Sequence, residues 1–170
     1  MKKRGIVLTL VLAIAVVVVS LFIWALCRYN EKQATIEMMP VFSGITTEGL
    51  SFSSAEDLIP GKRTALMFFH PECEFCRKEI EDIIKRHDEC RDVQWVFITF
   101  APADLVAEFM IEYPLEMIPD SKIVVENGGE IFKLFDVETP PSLYIFDKER
   151  KLIKRHKSAV SIKIIVEELQ

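Results

Sequence analysis

Cys73-Glu74-Phe75-Cys76 places two thiols three positions apart, directly after an apolar run, Leu66-Met67-Phe68-Phe69, and at the head of a helical pattern. A Cys-x-x-Cys pair at such a strand-to-helix junction forms a disulfide that breaks and remakes readily. A helix start offers unpaired N–H groups and a partial positive charge, so Cys73 is expected to favour its thiolate. Cys76 shares a helix face with Ile80, Ile83, Ile84 and His87 and is expected to be the less exposed thiol. That difference predicts different roles: Cys73 attacks a substrate disulfide and Cys76 resolves the mixed disulfide.

Three nearby side chains are candidate modulators. Glu72 and Glu74 flank the nucleophile. Acids suit a helix start but oppose a neighbouring thiolate, which raises the thiol pKa and favours a reductant over an oxidant. His70 is placed to offset them as a proton donor. A zinc site would need two more ligands beside the pair. The chain offers only scattered His70, His87, His156, Cys90 and Cys27, so no metal is expected. Cys90 reads as a packed thiol. The aromatic set Phe68, Phe69, Trp95, Phe97, Phe100 and Phe146 lies on strand patterns and reads as core.

The elements that must position the pair follow from periodicity. Residues 41–42 and 50–52 flank a Gly-containing turn and read as a short hairpin. Residues 64–69 form an apolar run suited to a strand buried on both faces. A helix over 74–87 follows, then a strand rich in β-branched and aromatic residues at 93–100 and a helix at 102–113. A short strand at 123–125, the turn Asn127-Gly128-Gly129 and a short helix at 130–135 lead to a strand at 143–146. A turn at 147–150, a strand at 151–156 and a helix at 161–169 complete an α/β sandwich with a mixed central sheet.

Residues 6–27 are apolar apart from Thr9 and Ser20. At ~1.5 Å per residue they span about 30 Å, the thickness of a bilayer core. A secretory signal has a shorter apolar region and a small-residue cleavage site. Trp24-Ala25-Leu26-Cys27 faintly resembles a lipoprotein cleavage box, but Leu26 is large for the position before the cysteine. An uncleaved transmembrane anchor at 6–27 is therefore expected. Residues 1–5 would be cytoplasmic, 28–39 a tether, and 40–170 one folded domain. Lys2-Lys3-Arg4 keep the N-terminus inside, which turns the domain outward. In a bacterium that is the periplasmic side of the inner membrane, where disulfide chemistry is at home. Taking Lys2, Lys3, Arg4 and Arg28 from the 21 basic residues leaves 17 against 26 acids, about -9. Such a domain is a poor nucleic-acid binder.

The order of elements around the cysteines resembles the thioredoxin fold, a three-layer α/β/α sandwich. More closely it resembles the membrane-anchored thiol-disulfide oxidoreductases of the redoxin and TlpA type, over residues 40–170. Two motifs carry the likeness: Phe68-Phe69-His70-Pro71-Glu72-Cys73-Glu74-Phe75-Cys76, and Val137-Glu138-Thr139-Pro140-Pro141-Ser142-Leu143. The resemblance implies a cis proline beside the disulfide, mapped onto Pro140, with the Thr139 backbone presented to an extended substrate segment. It implies an enzyme acting on exported proteins with cysteine pairs, fed by a membrane electron donor, with the Cys73–Cys76 disulfide in place of any organic cofactor. Three positions depart from the family: Glu72 stands where Trp precedes the first cysteine, Phe75 where Pro or His precedes the second, and Met67 where thioredoxin carries a buried acid. Two alternatives are a peroxiredoxin-type thiol peroxidase and a non-catalytic scaffold. The Pro-x-x-x-Thr/Ser-x-x-Cys signature of the first is unmatched, since Leu66 and His70 hold its places before Cys73. The intact cysteine pair with Pro140 argues against the second.

Overall fold

The strand that leads to the cysteines, β3 (Arg63–Phe68), lies at the centre of a seven-stranded mixed sheet. It is parallel to β4 (Val93–Thr99) on one side and antiparallel to β6 (Ser142–Phe146) on the other. β4 in turn runs parallel to β5 (Ser121–Val125), and β6 pairs antiparallel with β7 (Leu152–His156). The hairpin of β1 (Ser43–Thr46) and β2 (Ser51–Ser53) joins the far edge through an antiparallel β1–β5 pairing, giving the order β2-β1-β5-β4-β3-β6-β7. The computed structural model describes residue 13, residues 15–24 and residues 36–168.

Both faces of the sheet are covered, which is why its central strands are continuously apolar. All seven residues of β4 and all five of β6 are buried. One face packs Ala65, Met67, Trp95, Phe97, Leu143 and Ile145 against helices α1 (Glu74–Arg86), α2 (Ala103–Glu112) and α4 (Ile162–Glu168). The other packs Leu66, Phe68, Val96, Ile98, Tyr144 and Phe146 against α3 (Glu130–Leu134) and against Phe42, Phe52 and Phe135. This is the thioredoxin-like α/β sandwich. α1 is locked to the sheet by Cys76, Ile80 and Ile83, each fully buried. Burying an isoleucine is worth roughly 1.5–3 kcal/mol, so the helix start that bears Cys73 is fixed by its own apolar stripe.

Several boundaries differ from the sequence reading. The first hairpin strand runs through Ser43–Thr46 rather than 41–42, because Gly44 lets β1 approach β5. A Cβ at Gly44 would collide with Val124 Cγ1 and lie 3.2 Å from the Val125 carbonyl. The domain begins at Ile36 and takes in four residues assigned to the tether. Met39 is buried, its N–H donates to the Arg150 carbonyl at 2.8 Å, and the Glu37 carbonyl accepts from Leu152 N–H at 2.8 Å. Phe100 is 46 % exposed, not core, because β4 ends at Thr99 and the ring projects beyond it.

Residues up to Thr35 form a separate unit. Residues 15–24 are helical, and Val16, Val17, Val18, Val19, Leu21, Phe22, Ile23 and Trp24 are exposed. Among the described residues no helix is long and apolar enough to cross a membrane. The rest of the expected 6–27 anchor, apart from Ala13, and residues 1–5 and 28–35 lie outside the described residues.

Candidate active site

Cys73 and Cys76 are joined in a disulfide, with Cα atoms 5.2 Å apart. Cys73 is the N-cap of α1. Its backbone is extended (φ -80, ψ 111), and its sulfur takes the capping role usually filled by a Ser or Asp oxygen, accepting the Cys76 N–H at 3.2 Å. The loop ahead of it is pinned from two sides. Cys73 N–H donates to the His70 carbonyl at 3.0 Å, and Arg77 Nε donates to the Pro71 carbonyl at 2.6 Å. Cys73 is half-buried, whereas Cys76 is fully buried against the sheet. Only the first sulfur is reachable from solvent, and it already sits at a helix N-terminus that stabilises negative charge.

The segment before β6 closes over this sulfur. The Pro140 carbonyl oxygen is 3.8 Å from Cys73 Sγ. The cis bond joins Pro140 to Pro141, so the cis residue is Pro141 and not Pro140. Both Thr139–Pro140 and Pro140–Pro141 are X-Pro bonds, and either can adopt the cis form at modest cost. The bond that does so is the one entering β6. The shift by one residue also changes which carbonyl is presented. Thr139 is exposed, but its carbonyl accepts from Ser142 Oγ at 3.2 Å, leaving the Pro140 carbonyl to face the disulfide.

The flanking groups are arranged less uniformly than the sequence suggests. Glu72 and Glu74 are both exposed. His70 Nδ1 accepts the Glu72 N–H at 3.3 Å, so that nitrogen cannot also serve as a proton donor to sulfur. The His70 ring lies 5.5 Å from that of Phe100, which in turn meets Phe132 edge-on at 4.9 Å. Phe75, between the cysteines, is 69 % exposed. Replacing Glu72 and Glu74 together by Gln is expected to lower the Cys73 thiol pKa by well under tenfold in proton affinity, because exposed charges are screened. The pH dependence of thiolate absorbance measures this, and an unchanged or raised pKa would reject the electrostatic reading.

One residue of the site went unnoticed in the sequence. Glu79 is buried on α1 in the same stripe as Cys76 and Ile80, and neither carboxylate oxygen has a hydrogen-bond partner. Burial pushes its pKa from 4.5 up to about 8, opposed by the Val160 backbone and reinforced by Asp82. The other buried acid, Glu126, is in contrast fully engaged, accepting the N–H groups of Ile131 at 2.7 Å and Phe132 at 3.1 Å at the start of α3. The fold family's missing strand acid at Met67 thus has a counterpart on the neighbouring helix. Its signal in the sequence was the i+3 spacing from Cys76, which puts an acid on an otherwise apolar face.

No group of three or more His, Cys, Asp or Glu side chains among the described residues could hold a metal ion. His87 Nδ1 is 2.7 Å from the Ile84 carbonyl, and His156 Nε2 is 2.8 Å from Glu168. Cys90 is buried, and desolvation raises its thiol to about 11, which makes it inert. Cys27 lies outside the described residues.

Comparison with known proteins adds to this geometry. A search of curated protein sequences finds no match. Among solved structures, a secreted disulfide oxidoreductase of Mycobacterium tuberculosis, described as homologous to E. coli DsbE, is 20% identical. It covers 75% of this chain and 93% of its own, with a TM-score of 0.65. StoA from Bacillus subtilis is 20% identical over 79% of this chain and 99% of its own, with a TM-score of 0.61. The thioredoxin domain of a Bacteroides vulgatus thiol-disulfide oxidoreductase is 17% identical over 80% and 92%, with a TM-score of 0.62. These likenesses establish the thioredoxin-like fold. The AhpC/TSA family model matches residues 36–155, the greater part of the domain and of the whole chain. With its cysteine pair held at the head of α1, this chain belongs to the AhpC/TSA family and is an oxidoreductase.

Proposed function

We propose that this protein is a membrane-tethered thiol-disulfide oxidoreductase that reduces disulfides of exported proteins outside the cytoplasm. The observation that carries the reading is the asymmetric disulfide: a half-buried Cys73 sulfur at a helix N-cap, backed by a fully buried Cys76. In the reduced protein the Cys73 thiolate attacks one sulfur of a substrate disulfide. A mixed disulfide forms and the second substrate sulfur leaves as a thiolate. Cys76 then attacks Cys73 Sγ, the first substrate sulfur leaves, and the Cys73–Cys76 disulfide is restored. Two electrons and two protons pass to the substrate. Glu79, on the stripe of Cys76 and with a pKa near that of a thiol, takes the Cys76 proton in the second step.

A dithiol donor in the membrane must return the two electrons, because an oxidising compartment has no cytosolic reducing pool. The acids beside Cys73 support the reducing direction by disfavouring its thiolate. The apolar segment 6–27 and the bases Lys2, Lys3 and Arg4 support a single-pass bacterial inner-membrane anchor with the domain in the periplasm.

The test is Cys76→Ala in the living host. The first step survives and the resolving step does not, so mixed disulfides should accumulate on Cys73 and be identifiable by mass spectrometry. A variant that captures no protein would remove the main support for a protein-disulfide substrate. Turnover of peroxide by the wild-type chain, with no reduction of insulin disulfides, would replace this reading with a thiol peroxidase.

A further inference from the structure

The geometry points to a substrate-docking strip beside Cys73 that accepts one backbone hydrogen bond and can donate none, with Pro140 as the residue that sets this specificity. The inference rests on the exchange chemistry proposed above. A substrate sulfur bonded to Cys73 Sγ lies about 2 Å from it, so the substrate backbone must pass within reach of the Pro140 carbonyl, 3.8 Å from the same Sγ. An extended segment in that place would normally pair with the protein as an added strand, exchanging an N–H and a carbonyl with one residue. Here only half of that exchange exists. Pro140 presents its carbonyl but has no N–H, and Pro141 after it has none either. Ser142, next in line, is buried and already paired with Phe68 inside the sheet. The Thr139 carbonyl, the neighbouring acceptor, is occupied by Ser142 Oγ. The strip therefore reads a free N–H beside the substrate cysteine and ignores the substrate carbonyl.

This defines the substrate class as an extended cysteine-bearing polypeptide with an unblocked amide next to the cysteine, held by a single backbone hydrogen bond. A residue other than proline at 140 would supply the second bond. Pro140 thus weakens docking and broadens the range of strands accepted.

The test uses the reduced full chain and two kinds of disulfide. One is a small aromatic disulfide without a peptide backbone. The other is a short linear peptide whose single cysteine is disulfide-linked to a chromophoric thiol, made as the parent and with each amide N–H next to the cysteine replaced in turn by an ester oxygen. One ester should raise KM about three- to tenfold, the worth of one backbone hydrogen bond, with kcat little changed. Pro140→Ala, which restores an N–H, should lower KM for the parent peptide by a similar factor and leave the small disulfide's rate unchanged. Esters equal to the parent at every position would overturn the inference. So would an unchanged peptide KM in a folded Pro140→Ala chain. If that variant does not fold, the ester series on the wild-type chain decides alone. Failure to reduce even the small disulfide would instead reject the oxidoreductase reading, and this inference with it.

Discussion

Cys73→Ser should abolish reduction of insulin disulfides, a loss on the order of a thousandfold or more, and should form no mixed disulfide at all. Cys76→Ser should lose turnover to a similar degree yet still release one equivalent of substrate thiol in a single burst. The difference follows from position. Cys73 is the half-buried N-cap whose sulfur accepts the Cys76 N–H, so its thiolate is both reachable and stabilised. Cys76 is wholly buried on the inner face of α1 and can meet only a sulfur already bound at Cys73. A serine hydroxyl at either place is too weak an acid and nucleophile to substitute. Single-turnover kinetics with the reduced variants separates the two cases. A burst from Cys73→Ser, or its absence from Cys76→Ser, would reverse the assignment of attacking and resolving thiols.

Much of the scaffold was legible because its elements obey single periodicities. Residues 64–69 and 93–100 read as buried strands since both faces of the sheet are covered, and β3 and β4 fall within one or two residues of those limits. The helix from 74 read correctly because Cys76, Ile80 and Ile83 keep one face apolar. What was not legible depended on contacts between distant segments. Nothing local in Ser43–Thr46 announces a strand containing glycine; the reason lies in Val124 and Val125 on β5. The cis bond could have fallen at either of two consecutive X-Pro bonds. Its true place moves the presented carbonyl from Thr139 to Pro140. Phe100 resembled its core neighbours in type and spacing, but one residue past the end of β4 it turns toward His70. Glu79 was hidden by its chemistry: a carboxylate in a helix is ordinarily solvated, and only the packing of the helix against the segment around Val160 removes its water.

Glu79→Gln should change how stability depends on pH more than any other single substitution in the domain. With a native pKa of about 8 against 4.5 for the free side chain, the folded protein keeps a proton that the unfolded chain has released throughout that window. Stability must therefore fall as pH rises from about 4.5 to about 8, and level off above it. Integrated across the window the loss from this one group is on the order of 5 kcal/mol, a large part of a small domain's total. Glutamine keeps the shape and cannot ionise, so the variant should lose this slope and be the more stable protein at pH 8.5. Asp82 on the same helix adds to the rise in Glu79, and Lys78 lines the same cleft, so the comparison is best made with both in place. Urea midpoints of wild type and variant at pH 5 and 8.5 supply the measurement; parallel profiles would show that Glu79 is not held protonated. The same substitution separates this structural effect from the chemical one. If Glu79 takes the proton of Cys76, the variant should form mixed disulfides at the wild-type rate but resolve them about 10²-fold more slowly, and the resolving step should lose its inflection near pH 8. A buried acid that served only packing would alter the urea midpoints and leave both rates unchanged.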